Sequence, residues 1–121
     1  MKILVAEDEP MLREDIAMIL EMEGHTIIQA QNGQEALEII TADSTLDLLF
    51  TDVKMPKMNG LELIATLRER NLGDFPVIVC SAYAMNQDIA DAKKLGVRQY
   101  ITKPFEFDDI INAVNSASMV N

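Results

Sequence analysis

The sequence predicts an α/β domain in which a parallel sheet lies between two layers of helices. Five short apolar segments, at 2–7, 25–30, 47–52, 76–81 and 99–103, alternate with longer segments of helical period. Strands that alternate with helices in this way are typical of parallel β-α units. Runs such as "ILVA" and "VIVC" are almost continuously apolar, which is typical of strands that are covered on both faces. The sheet is therefore expected in the middle of three layers.

Local signals place helices between these strands. Pro10 favours the start of the first helix, which is expected to end at Gly24, and Asn59-Gly60 favours the start of the third. Gly96 is expected to close the fourth helix, and 106–117 has the pattern of the fifth. Apolar residues at helical spacing form the stripes expected to be buried in the first and third helices: Leu12, Ile16, Ile19, Leu20, Leu61, Ile64 and Leu67.

Length and composition limit the classes of function. At 121 residues the chain is expected to form one domain, 1–121, which buries about two-thirds of the surface of its unfolded form. Because the sequence has no long apolar stretch and no signal-peptide pattern, we expect a soluble, cytoplasmic protein with no membrane partner. The formal net charge of −10 disfavours direct binding to nucleic acid and favours proteins or cations as partners. Cys80 lies in an apolar run and is interpreted as a buried structural thiol.

Polar residues follow four of the predicted strands, at the point where each strand ends: Glu7-Asp8-Glu9, Asp52, Ser81-Ala82 and Thr102-Lys103-Pro104. Ligands of an open parallel sheet bind beyond the carboxyl ends of its strands. We therefore expect three carboxylates, one hydroxyl and one ammonium group to converge on one edge of the sheet and form a site.

The charges of this cluster indicate its chemistry. Glu7, Asp8 and Asp52 would repel one another unless a cation lay among them, and a few carboxylates with several waters favour Mg²⁺ over Ca²⁺. A carboxylate in such a site can act as a nucleophile toward phosphorus. Lys103 and the metal would neutralise the transferring group, and Ser81 would donate a hydrogen bond to it. Asp52 is the candidate nucleophile, because the acids after the first strand are better placed as metal ligands.

Four segments carry a resemblance to a known family: "ILVAEDEP", "LLFTDVKMPKMNGLEL", "VIVCSA" and "YITKPF". In this order, and over essentially the whole chain, they closely resemble the receiver domain of bacterial two-component response regulators. The resemblance implies a flavodoxin-like, doubly wound (βα)5 fold with the parallel strand order 2-1-3-4-5. It also implies a phosphoacceptor that receives its phosphoryl group from a sensor histidine kinase or a histidine phosphotransfer protein. Such a domain catalyses its own phosphorylation and dephosphorylation and is not a turnover enzyme.

The same resemblance assigns roles to the site residues. Asp52 would accept the phosphoryl group, Ser81 and Lys103 would hold its oxygens, and Tyr100 would be the aromatic residue whose rotamer reports the state. Mg²⁺ would be held by four groups: Glu7, Asp8, Asp52 and the backbone carbonyl of Lys54. The Lys103-Pro104 peptide bond is expected to be cis, as in the family.

Some features depart from the commonest pattern of the family. Glu7 stands where many receivers have Asp, and Ser81 stands where Thr is commoner; both are tolerated variants. No output domain follows residue 121, so we expect a single-domain receiver. A receiver cut from a longer regulator is the alternative that the sequence leaves open.

The resemblance also predicts how the phosphorylated state is kept and transmitted. Lys54 and Tyr83 would flank the line along which water attacks the acyl phosphate, which predicts slow self-dephosphorylation. Output to a protein target is expected through the fourth helix, the fifth strand and the fifth helix, because Ser81 would move toward the phosphoryl group and Tyr100 would rotate inward. The residues expected on this surface are Ala84, Met85, Gln87, Tyr100, Phe107 and Ile111. Acidic residues crowd the same side and disfavour DNA.

Other functions fit the sequence less well. A phosphatase of the haloacid-dehalogenase type needs a second Asp where Lys54 stands, and a flavodoxin-like nucleotide binder needs a glycine- and hydroxyl-rich loop where "AEDEP" stands. A receiver that has become a purely structural binding module remains the rival hypothesis. Retention of Asp52 and Lys103 argues against it.

The remaining polar and sulfur-containing residues have structural interpretations. Glu9 is interpreted as a capping residue at the positive end of the first helix. His25 lies at the opposite edge of the sheet from the acids, too far from Ser81 to act as its base. Met11, Met18 and Met22 lie at helical spacing and are expected to pack in the core or against a partner.

Overall fold

The computed structural model describes residues 1–82 and 86–118, which form five strands and five helices. The strands are β1 (Lys2–Ala6), β2 (Thr26–Ala30), β3 (Leu48–Asp52), β4 (Val77–Ala82) and β5 (Gln99–Lys103). The helices are α1 (Pro10–Met22), α2 (Gly33–Ala42), α3 (Gly60–Glu69), α4 (Asn86–Lys94) and α5 (Phe107–Ser118). Each strand ends within one residue of its predicted segment, so the apolar pattern located the sheet correctly.

All the strands are parallel, in the order β2-β1-β3-β4-β5. This is the predicted order. The chain runs outward from β1 to β2 on one side, and from β3 through β4 to β5 on the other. Strand order therefore reverses between β1 and β3, which is where ligand sites of such sheets form. In the register of the sheet, Asp52 lies beside Cys80, and Lys103 lies beside Ala82.

Two apolar clusters on opposite faces of the sheet give the three predicted layers. On one face, α2, α3 and α4 cover strand residues that include Leu4 and Leu49. On the other face, α1 and α5 cover a second set that includes Ile3, Leu48 and Phe50. Because successive side chains of a strand point to opposite faces, β1 and β3 supply both clusters. Every residue of β3 is buried, as expected of a strand in the middle of the sheet.

The helix boundaries agree with the local signals. α1 begins at Pro10, and Gly24 follows its end in a left-handed conformation with φ of 93°. α3 begins at Gly60 after a capping box. In this box the Asn59 side chain accepts a hydrogen bond from the N–H of Glu62, and the Glu62 carboxylate accepts one from the N–H of Asn59. The start of α3 is therefore fixed by its own sequence.

The predicted apolar stripes are buried to different degrees. Four members are fully buried: Ile16, Leu20, Ile64 and Leu67. The other three, at 12, 19 and 61, are half-buried at the borders of their stripes. Glu9 occupies the N-cap position of α1 as predicted, although its side chain makes no capping hydrogen bond. Any stabilisation of α1 by Glu9 is thus electrostatic.

Three methionines form an exposed stripe along α1. Met11, Met18 and Met22 are 75%, 52% and 77% exposed, so the expectation of core packing is wrong and packing against a partner remains. Their spacing places them on the side of the helix opposite the buried Ile16 and Leu20. Periodicity alone could not distinguish the two sides, because both carry large apolar residues.

Two further expectations about single residues are confirmed. Cys80 is fully buried, and burial raises the pKa of its thiol to about 12, with the negative charge of Asp52 adding to the effect. His25 lies just before β2, far from the carboxyl ends of the strands, and its Nδ1 is 3.1 Å from the amine of Met1.

Among the described residues, no helix has both the length and the apolar character needed to span a bilayer.

Candidate functional site

Three carboxylates meet at the edge of the sheet where the strand order reverses. Glu7 directly follows β1, Asp8 is the next residue, and Asp52 is the last residue of β3. One carboxylate oxygen from each lies within 4.8 Å of the others. Glu7 and Asp52 are buried, and Asp8 is exposed to solvent. The structure thus brings together the acids that the sequence predicted to converge.

Both oxygens of the Asp52 carboxylate accept hydrogen bonds. Oδ1 accepts from the N–H of Val53 at 2.8 Å, and Oδ2 accepts from the ammonium group of Lys103 at 2.8 Å. The residue is only 5% exposed, so its carboxylate is almost completely buried. Its orientation is therefore fixed by one contact within its own chain segment and one from a distant strand.

Lys103 links the two buried acids. Its Nζ lies 2.8 Å from Oδ2 of Asp52 and 3.2 Å from Oε1 of Glu7. The Lys103-Pro104 peptide bond is cis, as expected. Burial lowers the pKa of Lys103, but the hydrogen bond to Asp52 and the charges of both acids outweigh it, so the pKa is raised overall. Lys103 therefore stays charged, as a group that holds anionic oxygens must.

Ionisation of Glu7 is unfavourable in this arrangement. Its pKa is raised to about 7, first by burial and then by the nearby negative charge of Asp52. Its Oε2 accepts a hydrogen bond from the N–H of Glu9 at 3.2 Å. A single ammonium group thus does not compensate the acids, so a cation bound among them would be stabilising.

The hydroxyl of Ser81 is unusual because it is buried and no described residue pairs with it. Ser81 is 1% exposed, and its Oγ has no hydrogen-bond partner among the described residues. A buried hydroxyl without a partner is costly and is commonly found where a ligand completes the hydrogen bonding. Ser81 lies in β4, between β3 with Asp52 and β5 with Lys103.

Close backbone contacts behind Asp52 were not predicted from the sequence. A Cβ added at Gly60 would lie 2.1 Å from the backbone oxygen of Asp52, so only glycine permits this approach of α3 to the end of β3. The N–H of Gly60 donates to the carbonyl of Val53, and the hydroxyl of Thr51 donates to the carbonyl of Asp52. The Asn59-Gly60 pair marks a helix start in the sequence, but nothing in it reveals this tertiary contact.

A second glycine holds the neighbouring loop. A Cβ at Gly33 would lie 2.2 Å from the backbone oxygen of Met58, to which the Gly33 N–H donates at 3.0 Å. The first turn of α2 is thereby joined to the loop that precedes α3. The segment after Asp52 is therefore anchored at two glycines.

The other predicted residues lie around this edge or outside the described residues. The side chain of Lys54 is exposed, while Tyr83, Ala84 and Met85 lie outside the described residues. Tyr100 is half-buried, and the Nζ of Lys93 lies 5.6 Å from the centre of its ring. On the predicted output surface Gln87 and Phe107 are exposed, and Ile111 is half-buried.

The fold and this edge define a class of protein: doubly wound α/β domains with an acidic, lysine-containing site at the carboxyl ends of their strands. The chain belongs to the response regulator receiver domain family, whose family model matches residues 3–115. It is thus a receiver domain of a two-component system, and the fold and family expected from its motifs are confirmed.

Relatives of known name support this assignment. The chain is 37% identical over 107 residues to a chemotaxis protein CheY homolog of Campylobacter jejuni, covering 87% of this chain and 82% of that protein. It is 33% identical over 117 residues to the transcriptional regulatory protein PdtaR of Mycobacterium tuberculosis, covering 96% of this chain but only 56% of that protein. The chain thus spans little more than half the length of this second relative.

A solved structure resembles the whole fold. The response regulator protein TrrA of Thermotoga maritima, solved in complex with Mg(2+)-BeF, matches with a TM-score of 0.84 and 32% sequence identity. The match covers 96% of this chain and 97% of that one.

Proposed function

We propose that the chain, 1–121, is one phosphoacceptor unit in which Asp52 receives a phosphoryl group from a histidine kinase or a histidine phosphotransfer protein. The observation that carries this proposal is the position of Lys103, whose ammonium group contacts Asp52 and Glu7 beside the third acid, Asp8. Transfer of a charged phosphoryl group requires positive groups that neutralise its oxygens. An ammonium group and a cation site beside the buried carboxylate would supply them.

The residues present fit Mg²⁺ as the metal. The donor set consists of oxygens alone, which favours a hard cation, and the exposure of Asp8 leaves room for the waters that Mg²⁺ retains. Glu7, Asp8 and Asp52 would hold the ion, with the backbone carbonyl of Lys54 as the fourth protein ligand. When bound, Mg²⁺ would neutralise oxygens of the transferring group. The Mg(2+)-BeF complex of TrrA is consistent with this assignment.

The proposed transfer uses Asp52 as the nucleophile. A carboxylate oxygen of Asp52 attacks the phosphorus of a phosphohistidine, and a P–O bond forms. The P–N bond to the donor imidazole breaks, and the imidazole nitrogen leaves with the electron pair. Lys103 is already within hydrogen-bond distance of Asp52 and is positioned to hold a phosphoryl oxygen.

Ser81 is the second residue proposed to hold the phosphoryl group. Its buried hydroxyl lacks a partner among the described residues, and a phosphoryl oxygen would supply the missing acceptor. Phosphorylation would thus supply an acceptor for a hydroxyl that has none among the described residues, which would couple β4 to the chemistry.

Loss of the phosphoryl group is proposed to be slow. Water attacks phosphorus, the P–O bond to Asp52 breaks, and the free carboxylate and inorganic phosphate are released. Lys54, two residues beyond Asp52, has an exposed side chain that can crowd this approach. Because this loss is slow, Asp52 keeps the phosphoryl group for some time after each transfer. The chain is therefore proposed to act as a switch and not as a turnover enzyme.

Two surfaces are proposed to meet protein partners. The exposed methionine stripe of α1 begins at Met11, three residues after Asp8 in the sequence, so a phosphodonor that reaches Asp52 is proposed to pack an apolar surface against it. The downstream protein target is proposed to bind α4, β5 and α5, where Phe107 is 52% exposed. Direct binding of nucleic acid is disfavoured by the net charge of −10.

Mass spectrometry of the intact protein tests the proposal directly. After incubation with acetyl phosphate and Mg²⁺, the wild type should gain the mass of one phosphoryl group, and Asp52→Asn should not. Asp15→Asn, which removes an exposed acid on α1, is the matched control and should behave as the wild type. Omission of Mg²⁺ should also prevent the gain. A wild type that gains no mass would support the purely structural binding module, and a gain in Asp52→Asn would place the nucleophile elsewhere.

A further inference from the structure

A pocket that is separate from the acidic cluster lies at the opposite edge of the sheet from Asp52. It has a volume of about 410 Å³ and is formed where α3 ends, where β4 and β5 begin, and near the end of α5. Its principal lining residues are Arg68, Asp74, Phe75, Pro76, Val77 and Arg98. The proposed phosphoryl chemistry uses none of them.

Two arginines give this pocket its charge. The Nε of Arg68 donates to the backbone carbonyl of Leu95 at 3.0 Å, which fixes the guanidinium group and leaves its terminal nitrogens available. Within residues 1–82 and 86–118, neither Arg68 nor Arg98 forms an ion pair, and Asp74 lies beyond 4.0 Å from both guanidinium groups. Two guanidinium groups that line one cavity, neither ion-paired with a described residue, would both be stabilised by an anion bound there.

Apolar residues form part of the remaining wall, beside the polar Asp74 and Gln99. The ring of Phe75 packs over Gly73, where an added Cβ would lie 2.6 Å from the end of the ring. Gly73 has φ of 70°, so the glycine also permits the turn that positions this ring. Pro76 and the buried Val77 continue the apolar surface. The pocket therefore has both cationic and apolar lining residues, in a volume that suits a small molecule.

We propose that this pocket binds a small organic anion, with a phosphate or carboxylate group between Arg68 and Arg98 and a planar apolar body against Phe75 and Pro76. The charge decides the class of ligand. The chain has only 4 arginines and carries a net charge of −10, yet two of the arginines line this cavity with one acid. Guanidinium groups bind phosphate and carboxylate through paired hydrogen bonds, which fixes the orientation of the ligand.

Phenyl phosphate is a suitable probe, because it joins an anionic group to a flat apolar ring. It should be titrated into metal-free protein while backbone amide shifts are recorded. We expect saturable shifts at Phe75, Gly96 and Arg98, and weaker binding of inorganic phosphate, which lacks the ring. Shifts confined to other regions, or equal affinity for the two probes, would overturn the proposal.

A matched pair of variants tests the role of the arginines. Arg98 is exposed and forms no side-chain hydrogen bond to a described residue, so Arg98→Gln should fold normally and weaken phenyl phosphate binding about 5- to 10-fold. Arg70→Gln removes an equally exposed guanidinium at the end of α3 that does not line the pocket, and its affinity should equal that of the wild type. Equal losses in both variants would mean that only general charge attraction is involved, and no loss in Arg98→Gln would exclude the site.

Discussion

Replacement of Ser81 by alanine should stabilise the metal-free, unphosphorylated protein. The hydroxyl of Ser81 is buried and has no partner among the described residues, and such a group costs about 1–3 kcal/mol. Removal of one oxygen leaves a small void that costs less than about 1 kcal/mol. The backbone pairing of Ser81 with Thr102 in the sheet is untouched by the change. We therefore expect Ser81→Ala to raise the free energy of unfolding by about 1 kcal/mol.

Urea denaturation measures this effect directly. The midpoint should rise while the slope stays that of the wild type, since the surface exposed on unfolding hardly changes. Ser44→Ala, which removes an exposed hydroxyl from the turn after α2, is the control and should change stability by less than about 0.5 kcal/mol. A loss of more than about 1 kcal/mol in Ser81→Ala would show that the hydroxyl has a partner in the folded protein and would refute the reasoning.

The same variant should phosphorylate more slowly. A hydrogen bond from the Ser81 hydroxyl to a charged phosphoryl oxygen contributes about 1.5–3 kcal/mol, so its loss should slow phosphorylation by acetyl phosphate roughly 10- to 100-fold. The two measurements move in opposite directions, which a general defect in folding cannot produce. An unchanged rate of phosphorylation would remove Ser81 from the proposed site.

Four further predictions follow from particular contacts. Gly60→Ala and Gly33→Ala should each lose about 1–3 kcal/mol of stability, because both place a Cβ within 2.2 Å of a backbone oxygen. Only Gly60→Ala should also slow phosphorylation, since only that contact displaces the proposed nucleophile; equal rates in the two variants would contradict this. Asp43 has a pKa lowered to about 2, chiefly by its hydrogen bond with Lys2, so its stabilising effect is present above the unfolded pKa of 3.8 and lost as pH falls toward 2. In thermal unfolding at pH 5, Asp43→Asn should therefore be less stable than the wild type, and the difference in stability should become smaller at pH 3. A difference that does not change with pH would exclude the interaction with Lys2. Lys54→Ala should speed loss of the phosphoryl group a few-fold in a decay assay by intact mass, and an unchanged decay rate would mean that the exposed lysine does not shield the acyl phosphate. Beryllofluoride with Mg²⁺ should shift backbone amides at 99–111, whereas shifts confined to the acidic cluster would exclude the proposed output surface.

The sequence predicted the sheet well because the central strands are buried on both faces. Burial of this kind produces continuous apolar runs, which end where the chain leaves the core, so both the strands and the polar residues at their ends could be located. Glu7, Asp52, Ser81 and Lys103 follow from this pattern together with the order of the strands. Glu9 was placed correctly at the start of α1 for the same reason.

Features that depend on contact between distant segments could not be predicted in this way. The close approach of Gly60 to Asp52 depends on how α3 packs against the end of β3, and a glycine in a helix-start motif gives no sign of it. That no described residue pairs with the Ser81 hydroxyl is likewise a property of the assembled sheet. The methionines of α1 were ambiguous because an exposed apolar stripe has the same periodicity as a buried one.

The order of the strands also determines how many neighbouring strands hold each residue of the site. Asp52 ends β3, which has a hydrogen-bonded neighbour on each side, whereas Lys103 ends β5, whose one partner among the described strands is β4. The contact between these two residues therefore joins a central strand of the sheet to an edge strand. When the charge at the carboxylate changes, displacement of Asp52 would disturb backbone hydrogen bonds to two neighbouring strands, and displacement of Lys103 would disturb those to one. The topology of the sheet thus favours a displacement of Lys103 over a displacement of Asp52.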